Sequence, residues 1–277
     1  MNIIKAVFAL SLLIAVPAWA APKPEELAAA QAAEARGAEM YAYDQAAWHA
    51  TDRFLEDLKK YQPNQNGLRG YVVEADSGGL LKTTFFAERD GKLFAFATYW
   101  VRGSVVERGG LVGPDAASEL SLLALRMIDA RNKAIDAVAK PDHGFCADAP
   151  PNSLVLPPRS DGSIPVYIMT PQTANGAYPA GGHYRFDFDA RNQLIGERRF
   201  MKTCMDVNFR QRGDEKPEMF VVSHLLDPQP TEIHAFVSRY VPISLAIITA
   251  TNSEIWSVED GRIAYVGPVE DKEPAPH

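Results

Sequence analysis

The sequence predicts an α+β protein: an N-terminal helix, a β-meander with a capping helix, then a mostly antiparallel β region. Three observations carry this expectation. A stretch with few breakers, rich in Ala, Glu, Gln, Lys and Leu, runs from Pro24 to Tyr61. Alternating apolar runs flank Asp90-Gly91 and recur through the second half. Runs of strands stand apart from the helices, which argues against a parallel α/β sheet.

The chain opens with Lys5, then the apolar run Ala6 to Val16 (AVFALSLLIAV), then the small residues of Ala18-Trp19-Ala20. That run is too short to span a bilayer, and the order matches a signal peptide over residues 1–20. The mature chain is expected to begin near Ala21 and to be periplasmic or secreted. No Cys follows the run, so a lipid anchor on an N-terminal Cys is excluded, and no later stretch suits a transmembrane segment. Removing Lys5 takes the formal charge from −7 to −8, with 27 basic against 35 acidic residues. Such a chain, with scattered basic residues, suits neither nucleic acid nor an anionic membrane surface. Residues 21–140 hold helix, meander and helix, and residues 141–277 are mostly β. The boundary falls where six prolines lie between Pro141 and Pro165.

Within the first helix, Met40, Ala47, Trp48, Thr51, Leu55 and Leu58 recur at packing spacings. The Ala-rich half before Gly37 offers little large apolar surface and is expected to fray. In KTTFFAERDGKLFAFATYW, a two-residue turn at Asp90-Gly91 pairs Arg89 with Lys92, Ala87 with Phe94, Phe85 with Phe96 and Leu81 with Trp100. Those pairs define a single core face. GSVVERGGLV adds a strand. A second helix is expected from Asp115 to Lys140, with Leu123, Met127, Ile128 and Val138 inward and Arg126, Asp129, Lys133 and Asp136 toward water. Strands are then predicted at 166–170, 183–188, 194–202, 219–225, 231–241, 245–250, 253–258 and 262–266.

The stretch HYRFDFDARNQLIGERRFMKTC concentrates charge from His183 to Cys204. Alternation turns Tyr184, Phe186 and Phe188 to one face and His183, Arg185, Asp187 and Asp189 to the other. A loop of Ala190, Arg191 and a left-handed Asn192 sets Arg185 opposite Glu197. A loop one residue longer would set it against Arg198, a like-charge pair. The charges thus account for the register without chemistry, and the stretch reads as the wet face of a hairpin.

Cys146 and Cys204 are the only cysteines. In an exported chain they are expected to form a disulfide, worth up to about 4 kcal/mol in the chain-entropy model. The alternative is a Cys nucleophile with His143 three residues away as its base. In FVVSHLLDPQPTEIHAFVS, two strands around Asp227-Pro228-Gln229-Pro230 would face His224 to Glu232 and put His234 two residues along. His224, Glu232 and His234 are the candidate catalytic set, since two imidazoles and a carboxylate suit zinc or acid–base work. The sequence offers no group to orient either ring, so no bound metal is expected. His234→Ala is expected to cost about 1 kcal/mol or less, as a surface substitution does. HExxH, CxxC, Gly-x-Ser-x-Gly and Gly-x-Gly-x-x-Gly are absent, and no cofactor is implied.

PVYIMTPQT, GGHYRFDFDARNQLIGERRFMKTC and PTEIHAFVSRYVPISLAIITATNSEIWSVEDGRIAYV cover much of the second half. They resemble uncharacterised exported, periplasmic proteins of Gram-negative bacteria that have no assigned activity. The resemblance implies an exported α+β protein and brings no functional residue with it. The expected function is non-catalytic: a periplasmic binding or envelope-associated protein with a small-molecule or envelope partner. The alternative is a periplasmic hydrolase using the His/Glu face with a metal or an activated water.

Overall fold

A computed structural model of the chain describes residues 22–112, 119–140, 143–144, 146–210 and 217–269. The expected signal peptide lies outside them. Helix α1 (Pro24–Tyr61) has the predicted bounds. Pro24 starts it without needing an N–H partner, and the Glu26 carboxylate accepts the Lys23 N–H at 2.8 Å. Gln62, left-handed at φ 46°, ends it.

The packing stripe of α1 differs from the expectation. Trp48 and Leu55 face solvent, 52% and 57% exposed, while Ala30, Ala33, Gly37, Met40, Ala47, Ala50 and Phe54 are buried at steps of three, four and seven. The Ala-rich half does not fray. It lies so close to a later helix that a Cβ on Gly37 would come within 2.6 Å of Ala235 Cβ. Small side chains let the backbones approach, so closeness replaces bulk.

The first sheet is the expected meander of β1 (Leu68–Ala75), β2 (Leu81–Arg89), β3 (Lys92–Arg102) and β4 (Val105–Leu111), in sequence order. Arg89 pairs Lys92 and Ala87 pairs Phe94 as predicted. Phe96 is then an extra residue, so Phe85 pairs Ala97 and Leu81 pairs Val101. The single core face is also corrected, because both faces are covered. Phe85, Ala87 and Phe96 pack with α1 residues, whereas Val72 and Phe86 join a second core.

That second core surrounds α2 (Leu122–Val138), which lies between the first sheet and the next. The Ser121 Oγ caps it by accepting the Ala124 N–H at 2.8 Å, so the helix begins later than the expected Asp115. Asp115 itself is outside the described residues. Arg126 and Lys133 do not simply face water: they donate to the Gly162 and Asn192 carbonyls at 2.6 and 3.0 Å.

The second sheet contains β5 (Asn152–Val155), β6 (Ile164–Met169), β8 (Tyr184–Phe188) and β9 (Leu194–Arg199), antiparallel in the order β5-β6-β8-β9. β7 (Ala177–Pro179) and β10 (Asp206–Asn208) pair separately. Asn192 is left-handed and Phe188 pairs Leu194, as predicted. Ile195 is then bulged out, so Asp187 pairs Gly196 and Arg185 faces Arg198 instead of Glu197.

The third sheet orders β11 (Met219–His224), β12 (Ser244–Thr249), β13 (Glu254–Glu259) and β14 (Arg262–Pro268). The strand expected at 231–241 is instead helix α3 (Glu232–Ser238), and it returns the chain so that β11 and β12 run parallel. All seven residues of α3 are buried. An element buried all round shows no amphipathic period, which is why its apolar pattern was compatible with a strand. The other pairings are antiparallel, and the class is α+β as predicted. Among the described residues, no sheet takes strands from both sides of Pro141. Helix α1 joins the two sides, because residues of the first, second and third sheets share one core with it. Among the described residues, no helix is long and apolar enough to cross a membrane.

Candidate functional site

His224 ends β11, while Glu232 and His234 lie on α3. The structure brings the two histidines together, with ring centroids 4.8 Å apart and planes at 86°. It sends Glu232 elsewhere. Glu232 Oε1 accepts from the Tyr167 hydroxyl at 3.1 Å and from Arg185 Nη1 at 2.6 Å. His224 Nε2 meets Asp227 Oδ2 at 2.8 Å, and His234 Nδ1 accepts the Thr231 N–H at 3.0 Å. His224 and His234 are 1% and 3% exposed. Burial, then the neighbouring His224, pushes the His234 pKa down to about 3. His234 Nε2 is buried with no hydrogen-bond partner among the described residues. Among those residues, no group of three or more His, Cys, Asp or Glu side chains could hold a metal ion. The chain therefore lacks the single His/Glu face expected from a hairpin.

His183, expected on a wet face, is 1% exposed. Its Nδ1 accepts the Thr170 N–H at 3.2 Å and its Nε2 reaches the Pro179 carbonyl at 3.0 Å. Burial pushes its pKa down to about 4. Cys146 and Cys204 are disulfide-bonded, with Cα atoms 5.2 Å apart. Gly182 fits against them at φ +75°, where a Cβ would meet Cys146 Sγ at 2.6 Å. His143 Nε2 instead contacts Glu197 Oε1 at 2.6 Å. Both sulfurs are in the bridge, so neither is a thiol nucleophile.

A different constellation forms where the N-terminal half of α1, the second sheet and the start of α3 meet. A cavity of about 260 Å³ is walled by Ala29, Ala32, Ala33 and Pro230, with four arginines and Glu232 around it. Arg36 comes from α1, Arg159 from the β5–β6 connection, and Arg185 and Arg198 from facing positions on β8 and β9. The Ile195 bulge makes this pairing, since an unbroken register would have put Glu197 at the Arg198 position.

Carboxylates hold each arginine. Asp187 meets Arg159 at 2.8 Å and Arg185 at 3.0 Å, both Asp227 oxygens meet Arg198 Nη2 at 2.9 Å, and Glu39 meets Arg36 at 2.7 Å. Asp187, Asp227 and Glu232 are each more buried than the arginines they hold, so three guanidinium groups lie outward of their counter-charges. Burial opposes the Arg185 charge, but Tyr167, Glu232 and Asp187 outweigh it and keep the pKa above its usual value. Asp227 is raised by burial but held below its usual value overall by His224 and Arg198. A guanidinium carries five N–H donors, and these contacts use only some of them. The remainder form a preset array of donors for an anion.

Nothing in the sequence marks the four arginines as one site. By local charge alone Arg185 and Arg198 oppose a facing register, and Arg36 sits in an Ala-rich helical segment. One signal was available: Ala29, Ala32, Ala33 and Arg36 share a helical face, with small residues leading to a cation. No family model, no curated protein and no solved structure matches this chain, and the four-arginine pocket is the feature its own geometry offers.

Proposed function

We propose that this is an exported, non-catalytic binding protein that holds a small anionic ligand in the pocket between α1, the second sheet and α3. The observation that carries the reading is the convergence of Arg36, Arg159, Arg185 and Arg198 on one cavity. About 260 Å³ lies just below the usual range for small-molecule pockets, roughly 300 Å³ upward, which favours a compact ligand. Export is supported by the charge–apolar–small order of residues 1–20 and by the Cys146–Cys204 bridge. In the periplasm, such a pocket would retain or present its ligand without altering it.

Calorimetric titration of the mature chain with citrate, at matched ionic strength, tests the binding. One site per chain is expected, weakened at least tenfold by Arg36→Ala, whose side chain contributes little to the core. Absence of heat for citrate and for other small anions would remove the reading. For export, N-terminal sequencing of protein from the periplasmic fraction should begin at or beside Ala21.

A further inference from the structure

We infer that the ligand is a phosphate monoester on a short hydroxylated carbon chain, free in solution, such as a glycerol or sugar phosphate. This deepens the anion-pocket reading and rests on it. The four guanidinium groups come from three directions: two from adjacent strands, one from a loop and one from the helix opposite. A planar carboxylate presents two oxygens in one plane and satisfies one or two such forks. A tetrahedral phosphoryl group presents three oxygens in diverging directions and engages forks from several walls together. Arg185 and Arg198 face each other across the β8–β9 ladder, where their own carboxylates offset the repulsion, and their remaining donors can meet one phosphoryl group from two strands.

The rest of the lining specifies the rest of the ligand. Glu232 Oε1 is taken by Tyr167 and Arg185, while Oε2 accepts nothing from the described residues. A carboxylate oxygen only accepts, so it calls for a hydroxyl donor on the ligand. Gln229 and Thr231 beside it offer further polar groups. Ala29, Ala32 and Ala33 form a low wall against which a short carbon chain can lie. The acidic net charge, −7 for the whole sequence, disfavours an anionic membrane surface and favours a soluble ligand over a lipid headgroup.

The test is calorimetry on the full mature chain at pH 7.5 with glycerol 3-phosphate, inorganic phosphate and succinate, at equal ionic strength. Glycerol 3-phosphate is expected to bind one to one, at least tenfold more tightly than succinate. Ala32→Leu, an exposed helix position that should leave the fold intact by circular dichroism, fills the wall. It should weaken glycerol 3-phosphate at least tenfold and inorganic phosphate less than threefold. Succinate binding as tightly as glycerol 3-phosphate would overturn the phosphoryl assignment while leaving an anion pocket. Failure of all three, and of citrate, would remove the pocket reading itself. Capture by phosphatidic acid vesicles without affinity for glycerol 3-phosphate would assign a lipid headgroup and defeat this inference.

Discussion

His183 and His234 show how much a residue's role depends on where the chain puts it. Both are buried neutral, with pKa values pushed down to about 4 and about 3. Unfolded imidazoles take protons below about pH 6.5, whereas these two stay unprotonated until far lower pH. In that window the unfolded state binds more protons, so stability falls as pH falls from about 6.5 toward 4. Each histidine contributes at most about 1.4 kcal/mol per pH unit. Urea unfolding at pH 7, 6 and 5 should show the decline, and His183→Asn should flatten it by up to one proton's worth. His234→Ala should cost about 2–4 kcal/mol, not the value for a surface site. It removes a packed ring and the acceptor for the Thr231 N–H. Neither burial was legible in the sequence: a histidine on an alternating run looks the same whether its face meets water or another element.

At the scale of elements, the legible features were local and the rest depended on partners. The bounds of α1, the Asp90-Gly91 turn and left-handed Asn192 follow from propensity and turn chemistry within a few residues. The bulges at Phe96 and Ile195 did not, because each is set by what lies across the ladder and beneath it. At Ile195 the cost of pairing Arg185 with Arg198 is offset by Asp187, Glu232 and Asp227, which come from β8, α3 and the loop before α3. Charge complementarity between two strands therefore gave the wrong register, since the deciding charges were elsewhere. The contact of α1 with α3 yields a sharper test. Gly37→Ala ought to gain about 1 kcal/mol of helix propensity, yet its Cβ would sit 2.6 Å from Ala235 Cβ. Overpacking costs about 1–3 kcal/mol, so a net loss of up to about 2 kcal/mol is expected in urea unfolding. A gain would mean that the two helices can move apart freely.

For the whole molecule, class and strand-rich character were legible, but which strands share a sheet was not. That choice is made by contacts between residues far apart in sequence, on which a local pattern is silent. The same applies to the pocket, whose arginines lie at positions 36, 159, 185 and 198 and meet only in the completed fold. The disulfide joins residues separated by 58 positions and ties the segment after α2 to the approach to β10. Replacing both cysteines by serine should lower stability by up to about 4 kcal/mol in denaturant unfolding. Anion affinity, measured where the variant is folded, should stay within about threefold, because neither sulfur lines the pocket.

The span of α1 carries a consequence for the order in which the protein can be made. The first helix to emerge packs against α3, and the Glu34 carboxylate accepts from the Ile263 backbone N–H on β14. A chain made from its N-terminus therefore delivers the Ala-rich half of α1 long before the α3 and β14 surfaces that will cover it. Helices gain most of their stability from such covering surfaces, so the first half of α1 lacks its cover until α3 and β14 are made, whereas its second half can pack on the first sheet at once. Folding then ends in a closing event: residues 229–232 complete the cavity, and α3 and the last strands seat the first half of α1 beside it. A chain halted before β11 would keep all four arginines and still lack the wall made by Gln229, Pro230, Thr231 and Glu232.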